Sequence, residues 1–240
     1  MNVLLLGDEH SCGYGLPGRQ LSYAGHFIKH LCRTGRSVTV DAYAHLTVWE
    51  TAALLARLPL SRYDLIVLQL GPDLMARKYL GAGLSHNGMA TRPSILKGPG
   101  LSRNLGRTVQ LHRIKQTVRT LADIALSVMP GLGGPRGLTK LLAMLRPFRH
   151  NVLLMSPFPR RTLLGQWSSL RARSVLRRRE ISQTFSVFDT QAIVEPRDEY
   201  FLTGDPDHLN AVSHELLGRA LFDFYQSAPT IVTVQTTNRN

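Results

Sequence analysis

The sequence contains few of the residues that would place it in a specialised structural class. Its 240 residues include only two cysteines, Cys12 and Cys32, which are too few for a disulfide framework. Aromatic residues make up 7% of the chain, and no apolar run approaches the roughly 18 residues that a membrane span needs. No secretory leader is recognisable before the first apolar run. We therefore expect a cytoplasmic protein without a transmembrane segment.

Acidic residues are also scarce, because 16 Asp and Glu stand against 29 Lys and Arg, giving a formal net charge of +13. Such a charge creates a field that attracts anionic partners. The basic residues concentrate in two stretches, 103–119 and 160–179. A solvated helix face explains them, and an acidic carrier protein or an anionic lipid surface are the alternatives. No recognised module or aromatic-interleaved basic strip accompanies the charge, so we expect no specific nucleic-acid binding.

The sequence does have enough apolar residues, 43% of the chain, for one sizeable core. Short apolar runs alternate with helical patterns, which is typical of a parallel sheet covered by helices on both faces. We predict a three-layer α/β/α fold with a parallel five-stranded sheet. The predicted strands are 2–6, 37–41, 65–70, 151–155 and 186–189, and the predicted helices are 21–33, 48–58, 109–129, 138–145, 160–183 and 211–225.

The segment after the third strand is rich in glycine, proline and polar residues and predicts a long loop or lid. We interpret residues 1–227 as a single domain with an insertion at about 75–147, followed by a tail, 228–240, that forms an edge strand, a partner contact or no fixed structure. The apolar stretch 138–145 either lines a slot for an acyl or polyketide-like chain or packs in the core.

Three short polar segments follow apolar strands or precede the last helix. Residues 7–15 read Gly-Asp-Glu-His-Ser-Cys-Gly-Tyr-Gly, residues 71–73 read Gly-Pro-Asp, and residues 205–210 read Asp-Pro-Asp-His-Leu-Asn. Sites in open α/β sheets form at the carboxyl ends of the strands. We therefore expect the three segments to converge in one cleft.

The order of these segments resembles the signature blocks of the SGNH/GDSL hydrolases. In that family Gly-Asp-Ser follows the first strand with a glycine four residues after the serine, and Asp-x-x-His-Leu-Asn precedes the last helix. Here Gly13 and the whole last block match. The resemblance implies an SGNH-type α/β/α domain in which Asp205 orients His208 as the base.

The sequence departs from the family pattern at the three other signature positions. Glu9 stands where the serine nucleophile would be, Asp73 stands where the oxyanion-binding asparagine would be, and the loop 42–47 after the second strand contains no glycine. A carboxylate accepts hydrogen bonds when ionised and cannot donate to an oxyanion. Loss of one oxyanion donor typically costs about 2.7–4 kcal/mol, so we do not expect ordinary serine esterase chemistry.

We predict instead a non-serine acid/base site made of Glu9, His208 and Asp73, with Asp205 as the orienting group. A carboxylate can attack an electrophilic carbon directly. Alternatively, carboxylates and an imidazole can shuttle protons in isomerisation, elimination or cyclisation. The expected substrate is a small molecule or an acyl chain.

Other functions stay open from the sequence. The protein can be an inactive binding module in which Glu9 forms a salt bridge with His208 and the basic surface carries the function. It can be a residual esterase that uses Ser11, although two residues along an incipient helix turn a side chain by roughly 200°, which favours a cap or turn role for Ser11. Two carboxylates and His208 can also bind a divalent metal, but no close ligand spacing supports this, and we predict neither a metal nor a cofactor.

Four further residues of these segments, and one residue of the loop after the second strand, are predicted to contact substrate. Each also has a plain structural interpretation, such as loop support or, for Asn210, a helix cap. The predicted positions are Asp8, His10, His45, Gly71 and Asn210. The sequence does not indicate the reaction or the oligomeric state.

Overall fold

The computed structural model describes residues 1–18, 20–71 and 136–228. The predicted lid, the predicted helix 109–129, Asp73 and most of the tail lie outside these residues. The single-domain interpretation therefore stays a prediction.

The centre of the fold is a parallel sheet of five strands, as predicted. The strands are β1 Asn2–Gly7, β2 Thr39–Ala44, β3 Leu65–Gln69, β4 Val152–Met155 and β5 Ser186–Phe188. Their order across the sheet is β2-β1-β3-β4-β5. The central strands β3 and β4 are buried along their whole length, whereas β2 at the edge is partly exposed. Nearly continuous apolar runs therefore mark the strands that helices cover on both faces.

Helices cover the two faces of this sheet. They are α1 Tyr23–Arg33, α2 Val48–Arg57, α3 Arg136–Leu145, α4 Leu163–Leu176, α5 Arg179–Thr184 and α6 Ala211–Ser227. Side chains of Ser22, Thr47 and Asn210 cap α1, α2 and α6. Each accepts a hydrogen bond from a backbone N–H that has no partner within its helix. None of the helices in the described ranges is long and apolar enough to cross a membrane.

Alternate residues of β1 divide the core into two layers. Val3 and Leu5 pack with Phe27 of α1 and Leu221 of α6. Leu4 and Leu6 lie on the opposite face in a second cluster with Leu55 of α2 and Leu141 of α3. The three-layer α/β/α prediction is confirmed.

The apolar stretch 138–145 belongs to the second core cluster. The side chains of Leu138, Leu141, Leu142 and Leu145 are all buried there. Their spacing of three to four residues places them on one face of α3, toward the sheet. Of the two interpretations of this stretch, core packing is therefore the one that the structure supports.

The prediction of one helix over 160–183 is wrong in two respects. The segment forms two helices, and the first of them begins at residue 163. Thr162 is the N-cap of α4, with its hydroxyl oxygen accepting from the Gly165 N–H at 3.3 Å. Arg178 has an extended backbone between α4 and α5. Residues 156–161, with prolines at 157 and 159, form a loop at the carboxyl end of β4. Arg160 thus lies in a loop and not on a helix face.

Candidate active site

The first signature segment forms a series of tight turns directly after β1. The Ser11 N–H donates to the Asp8 carbonyl at 3.1 Å, the Gly13 N–H donates to the His10 carbonyl at 3.1 Å, and the Tyr14 N–H donates to the Glu9 carbonyl at 3.0 Å. Gly13 has a φ of 73°, which a glycine adopts without steric cost. The turns bring Asp8, Glu9 and His10 together at the carboxyl edge of the sheet.

Asp8 is held in the protein interior. Its N–H donates to Gln69 Oε1 at 3.4 Å, and the hydroxyl of the buried Tyr23 donates to the same oxygen at 2.8 Å. Burial alone would raise the pKa of Asp8, but interactions with the neighbouring His10, including the hydrogen bond that its backbone N–H donates at 3.0 Å, outweigh this effect and hold the pKa below its ordinary value. Asp8 is therefore an ionised support at the base of the site.

His10 is the most enclosed member of the segment, with only 1% of its surface exposed. Its Nε2 lies 3.2 Å from the Asp207 carbonyl oxygen. Since a carbonyl can only accept, Nε2 carries the proton. The other ring nitrogen, Nδ1, lies 3.4 Å from Asp8 Oδ1 and 3.9 Å from Glu9 Oε1, and it has no hydrogen-bond partner among the described residues.

Glu9, in the position of the family's serine, pairs with a cation from another part of the chain. Arg160 Nη2 donates to Glu9 Oε1 at 3.1 Å, and His45 Nδ1 lies 4.0 Å from Glu9 Oε2. The sequence left open a salt bridge between Glu9 and His208. Within the described ranges Glu9 pairs with Arg160 instead, and the partner of His208 is Asp205.

The last signature segment holds its histidine as the resemblance implies. Asp205 Oδ2 lies 2.6 Å from His208 Nδ1, and Asp205 Oδ1 accepts from the backbone N–H groups of Asp207 at 3.0 Å and His208 at 3.2 Å. Burial alone would raise the pKa of Asp205, but these N–H groups and the imidazole hold it below its ordinary value. An ionised Asp205 fixes the proton on Nδ1, so Nε2 of a neutral His208 is a basic lone pair.

The first and last segments meet through aromatic rings. The centroid of the His208 ring lies 5.7 Å from that of His10 and 4.7 Å from that of Tyr14. The Tyr14 side chain is 62% exposed. The site thus consists of a half-buried base, His208, between an enclosed imidazole and an exposed phenol ring.

The other residues that the sequence proposed have defined structural partners. Ser11 donates its hydroxyl to the Asp8 carbonyl at 2.7 Å, which is the turn role expected for it. Asn210 caps α6 through its Oδ1 and donates from Nδ2 to the Glu199 carbonyl at 2.6 Å, so its amide holds the loop and is not directed at a substrate. A Cβ on Gly71 would lie 3.0 Å from the Asp8 side chain, which makes Gly71 a site of close packing.

The loop after β2 contains no glycine, but one of its residues has the left-handed backbone conformation that glycine usually adopts. His45 has a φ of 60°, a left-handed conformation that side chains disfavour. Its N–H donates to the Gly7 carbonyl at 3.2 Å. This N–H is therefore already engaged and is not available to bind an oxyanion.

Two residues of the site were missed by sequence reasoning. Arg160 was counted with the basic stretch 160–179, although its position just after β4, next to Pro159, would have placed it at the carboxyl edge of the sheet. Tyr14 lies within the first motif and was not assigned a role. Several other arginines of that stretch pair with acids, since Arg173 Nε donates to Asp189 at 2.8 Å and Arg161 pairs with Asp198. The basic stretch is thus partly neutralised within the chain.

A third imidazole lies beneath the site. His214 of α6 is fully buried, and its Nδ1 accepts from the Tyr23 N–H at 3.0 Å. Burial, together with the charges of His10 and His26, lowers the pKa of His214 to about 3. His214 is therefore neutral and structural.

Comparison with solved structures identifies the fold. The chain is similar to the lipase Lip_vut3 from a goat rumen metagenome, with a TM-score of 0.58 and 15% identity over 96% of this chain and 98% of that chain. It is also similar to a catalytic mutant of an acetylxylan esterase from Geobacillus stearothermophilus, with a TM-score of 0.55 and 15% identity over 92% of each chain. A G-D-S-L family protein from Desulfitobacterium hafniense DCB-2 gives a TM-score of 0.53 and 11% identity over 92% and 98%.

These similarities show that the chain has an SGNH-hydrolase-like fold. No family model matches the sequence, and no curated protein matches it. Fold alone does not specify function, which has to be argued from the site itself.

Proposed function

We propose that this protein is an enzyme that uses the SGNH scaffold for non-serine acid/base chemistry on a small or acyl-chain substrate. The observation that carries the proposal is the 2.6 Å contact between Asp205 and His208, next to a turn in which Glu9 replaces the serine. A base with an orienting carboxylate is the part of the family's machinery that a proton-transfer reaction needs.

His208 is assigned the role of general base. Its Nε2 takes a proton from a substrate group or from a water molecule, and the resulting positive charge is balanced by Asp205 through Nδ1. Nothing in the described ranges forms a hydrogen bond to His208 Nε2. The exposed ring of Tyr14, 4.7 Å away, gives the substrate an apolar face to pack against.

Glu9 is assigned the role of the carboxylate that acts together with His208. Arg160 compensates its negative charge, so the electrostatic penalty expected for two carboxylates beside a developing anion is smaller than the sequence alone indicates. A proton that His208 takes from one atom of the substrate and returns at another would amount to an isomerisation, and the carboxylate of Glu9, paired with Arg160, would balance positive charge that develops in the site. Asp73, outside the described residues, is proposed as the third acid/base group because it follows β3 at the same edge of the sheet.

Two observations favour this proposal over the alternatives. The basic stretch 160–179 is partly neutralised by Asp189 and Asp198, which weakens an interaction module based on that surface. Ser11 donates to the Asp8 carbonyl, which engages the hydroxyl that a residual esterase would need. The solved structures similar to this chain include a lipase and an acetylxylan esterase, so esters and their acyl products are the first substrates to test.

The test is an assay of wild type, Glu9→Gln, Glu9→Ser and His208→Ala against a chromogenic ester panel and a metabolite extract. We expect turnover of an extract component that is lost in Glu9→Gln and His208→Ala. The control is His30→Gln, near the C-terminal end of α1, where the ring packs on Phe222. If wild type cleaves simple esters and Glu9→Gln does so equally well, the assignment of Glu9 is wrong.

A further inference from the structure

Three consecutive residues direct donor atoms to a common point at the end of β1. One ligand atom each of Asp8, Glu9 and His10 can be chosen so that all three lie within 4.8 Å of one another. The Nδ1 of His10 is 3.4 Å from Asp8 Oδ1 and 3.9 Å from Glu9 Oε1. In a tetrahedral metal site with bonds near 2.1 Å, ligand atoms lie about 3.4 Å apart. Asp8 and His10 therefore already have the spacing of two metal ligands, and Glu9 would complete the site by moving closer to them.

His10 supplies an independent indication of a ligand. Its ring is almost fully buried, and Nδ1 has no hydrogen-bond partner in the described part of the chain. Because Nε2–H donates to the Asp207 carbonyl, a neutral ring directs the lone pair of Nδ1 toward two carboxylates. That arrangement is repulsive unless a metal ion, or a proton on Nδ1, lies between the three groups.

We propose that Asp8, Glu9 and His10 bind one divalent transition-metal ion of the Mn²⁺ or Zn²⁺ class. Carboxylates suit Mn²⁺ and imidazole suits Zn²⁺, so a mixed set accepts either. Histidine ligands of metals almost always donate their second ring N–H to a carbonyl or carboxylate. The contact from His10 Nε2 to Asp207 has this form.

This site differs from the set of Glu9, Asp73 and His208 considered from the sequence. Its position is fixed by the turn after β1 and does not involve residues outside the described ranges. It shares Glu9 with the proposed acid/base site, but binding of the ion can be measured without any substrate, so the two proposals can fail separately.

Arg160 competes with the ion for Glu9. Its Nη2 lies 3.1 Å from Glu9 Oε1, the same oxygen that is closest to His10 Nδ1. A bound cation therefore displaces Arg160 from this oxygen or shares the carboxylate with it. Removing the guanidinium charge should tighten metal binding about thirtyfold, as expected for a divalent ion about 4 Å from one unit charge in a solvated site.

The test is a titration of the chelator-treated full-length protein with Mn²⁺, in which the free ion is followed by electron paramagnetic resonance. Mn²⁺ is the probe because Cys12 and Cys32 are exposed and their thiols would bind Zn²⁺. We expect one saturable site, binding weaker by about tenfold or more in Glu9→Gln, and tighter binding in Arg160→Gln. The control His30→Gln should match wild type.

Glu9 is partly exposed, so Glu9→Gln is expected to fold, and circular dichroism checks this for each variant. Absence of saturable binding in both wild type and Arg160→Gln would overturn the proposal. So would equal affinity in wild type and Glu9→Gln. A nitrogen-15 spectrum that shows His10 doubly protonated and unchanged by Mn²⁺ would overturn it as well, because a proton would then occupy the lone pair assigned to the metal.

Discussion

The molecule contains two imidazole–carboxylate groups whose environments differ sharply. His208 is half-buried and makes one short contact, 2.6 Å, with Asp205. His10 is enclosed and lies near both Asp8 and Glu9, at 3.4 and 3.9 Å, without a hydrogen bond at Nδ1. The first group has the geometry of an oriented base, and the second has the geometry of a cation site. The same residue types therefore support different chemistry according to burial and the number of neighbouring charges.

The largest expected effect is a loss of activity when the first of these two groups, His208 with Asp205, is removed. His208→Ala should lower kcat/KM, measured on a substrate found in the ester panel or the metabolite extract, by about 10²- to 10⁴-fold. This is the usual contribution of a general base. Its thermal midpoint should stay close to that of wild type because the ring is partly exposed. Steady-state kinetics and a melting curve measure both quantities. Wild-type kinetics in this variant would remove His208 from the mechanism.

The second prediction concerns the pH dependence of the free energy of unfolding, to which the buried His214 contributes. The unfolded chain binds a proton at His214 below about pH 6.5, whereas the folded chain does not bind it until about pH 3. The free energy of unfolding should therefore fall as the pH drops from 6.5 toward 3, by at most about 1.4 kcal/mol per pH unit from this group.

Urea denaturation at a series of pH values measures this slope. Asp8 and Asp205, whose pKa values are lowered, add to acid destabilisation only below about pH 4, near the ordinary pKa of an aspartate. Between pH 4 and 6.5 the contributions of His214 and of His26, whose pKa burial also lowers, therefore dominate over those of the two aspartates. An unchanged slope in His214→Gln would show that another group is responsible.

The third prediction tests whether Asp8 stabilises the turn that contains the buried His10. Asp8→Ala removes the acceptor of the His10 N–H, which lies 3.0 Å from Asp8 Oδ1. A buried donor without a partner costs about 1–3 kcal/mol, and the free energy of unfolding should fall by this amount. The matched variant Gly71→Ala, whose new methyl group would lie 3.0 Å from Asp8, should destabilise in the same direction. Stability equal to wild type in Asp8→Ala would contradict the buried role.

The smallest expected effect concerns the loop that borders Glu9. His45→Gly relieves a left-handed side-chain conformation and should raise the free energy of unfolding by about 0.5–1 kcal/mol. The denaturation midpoint measures the change. A loss of stability would mean that the side-chain contacts of His45, including its approach to Glu9, outweigh the backbone strain.

Much of the fold could be predicted because its signals are local. The apolar runs of β3 and β4 are short, continuous and bounded by polar residues, and they fold as buried parallel strands. The pairing of Asp205 with His208 was implied by the family resemblance, and it is also local, since only two residues lie between them.

The rest of the site depends on contacts between distant parts of the chain. The partner of Glu9 is 151 positions away, and Arg160 reaches it from the loop that precedes the N-cap of α4, Thr162. The burial of His10 was not predictable either, because a histidine in a polar turn carries no periodic signal. Asp73 stays a prediction.

The peptide of Asp207 has a consequence for how this protein would respond to a bound molecule. The Asp207 carbonyl accepts from the His10 ring, and the N–H on the other side of the same peptide bond, that of His208, donates to Asp205. Two rings that belong to opposite ends of the sequence are thereby tied to one rigid plane of atoms. A ligand that moves the His10 ring would therefore change a hydrogen bond to the peptide unit that leads directly into His208.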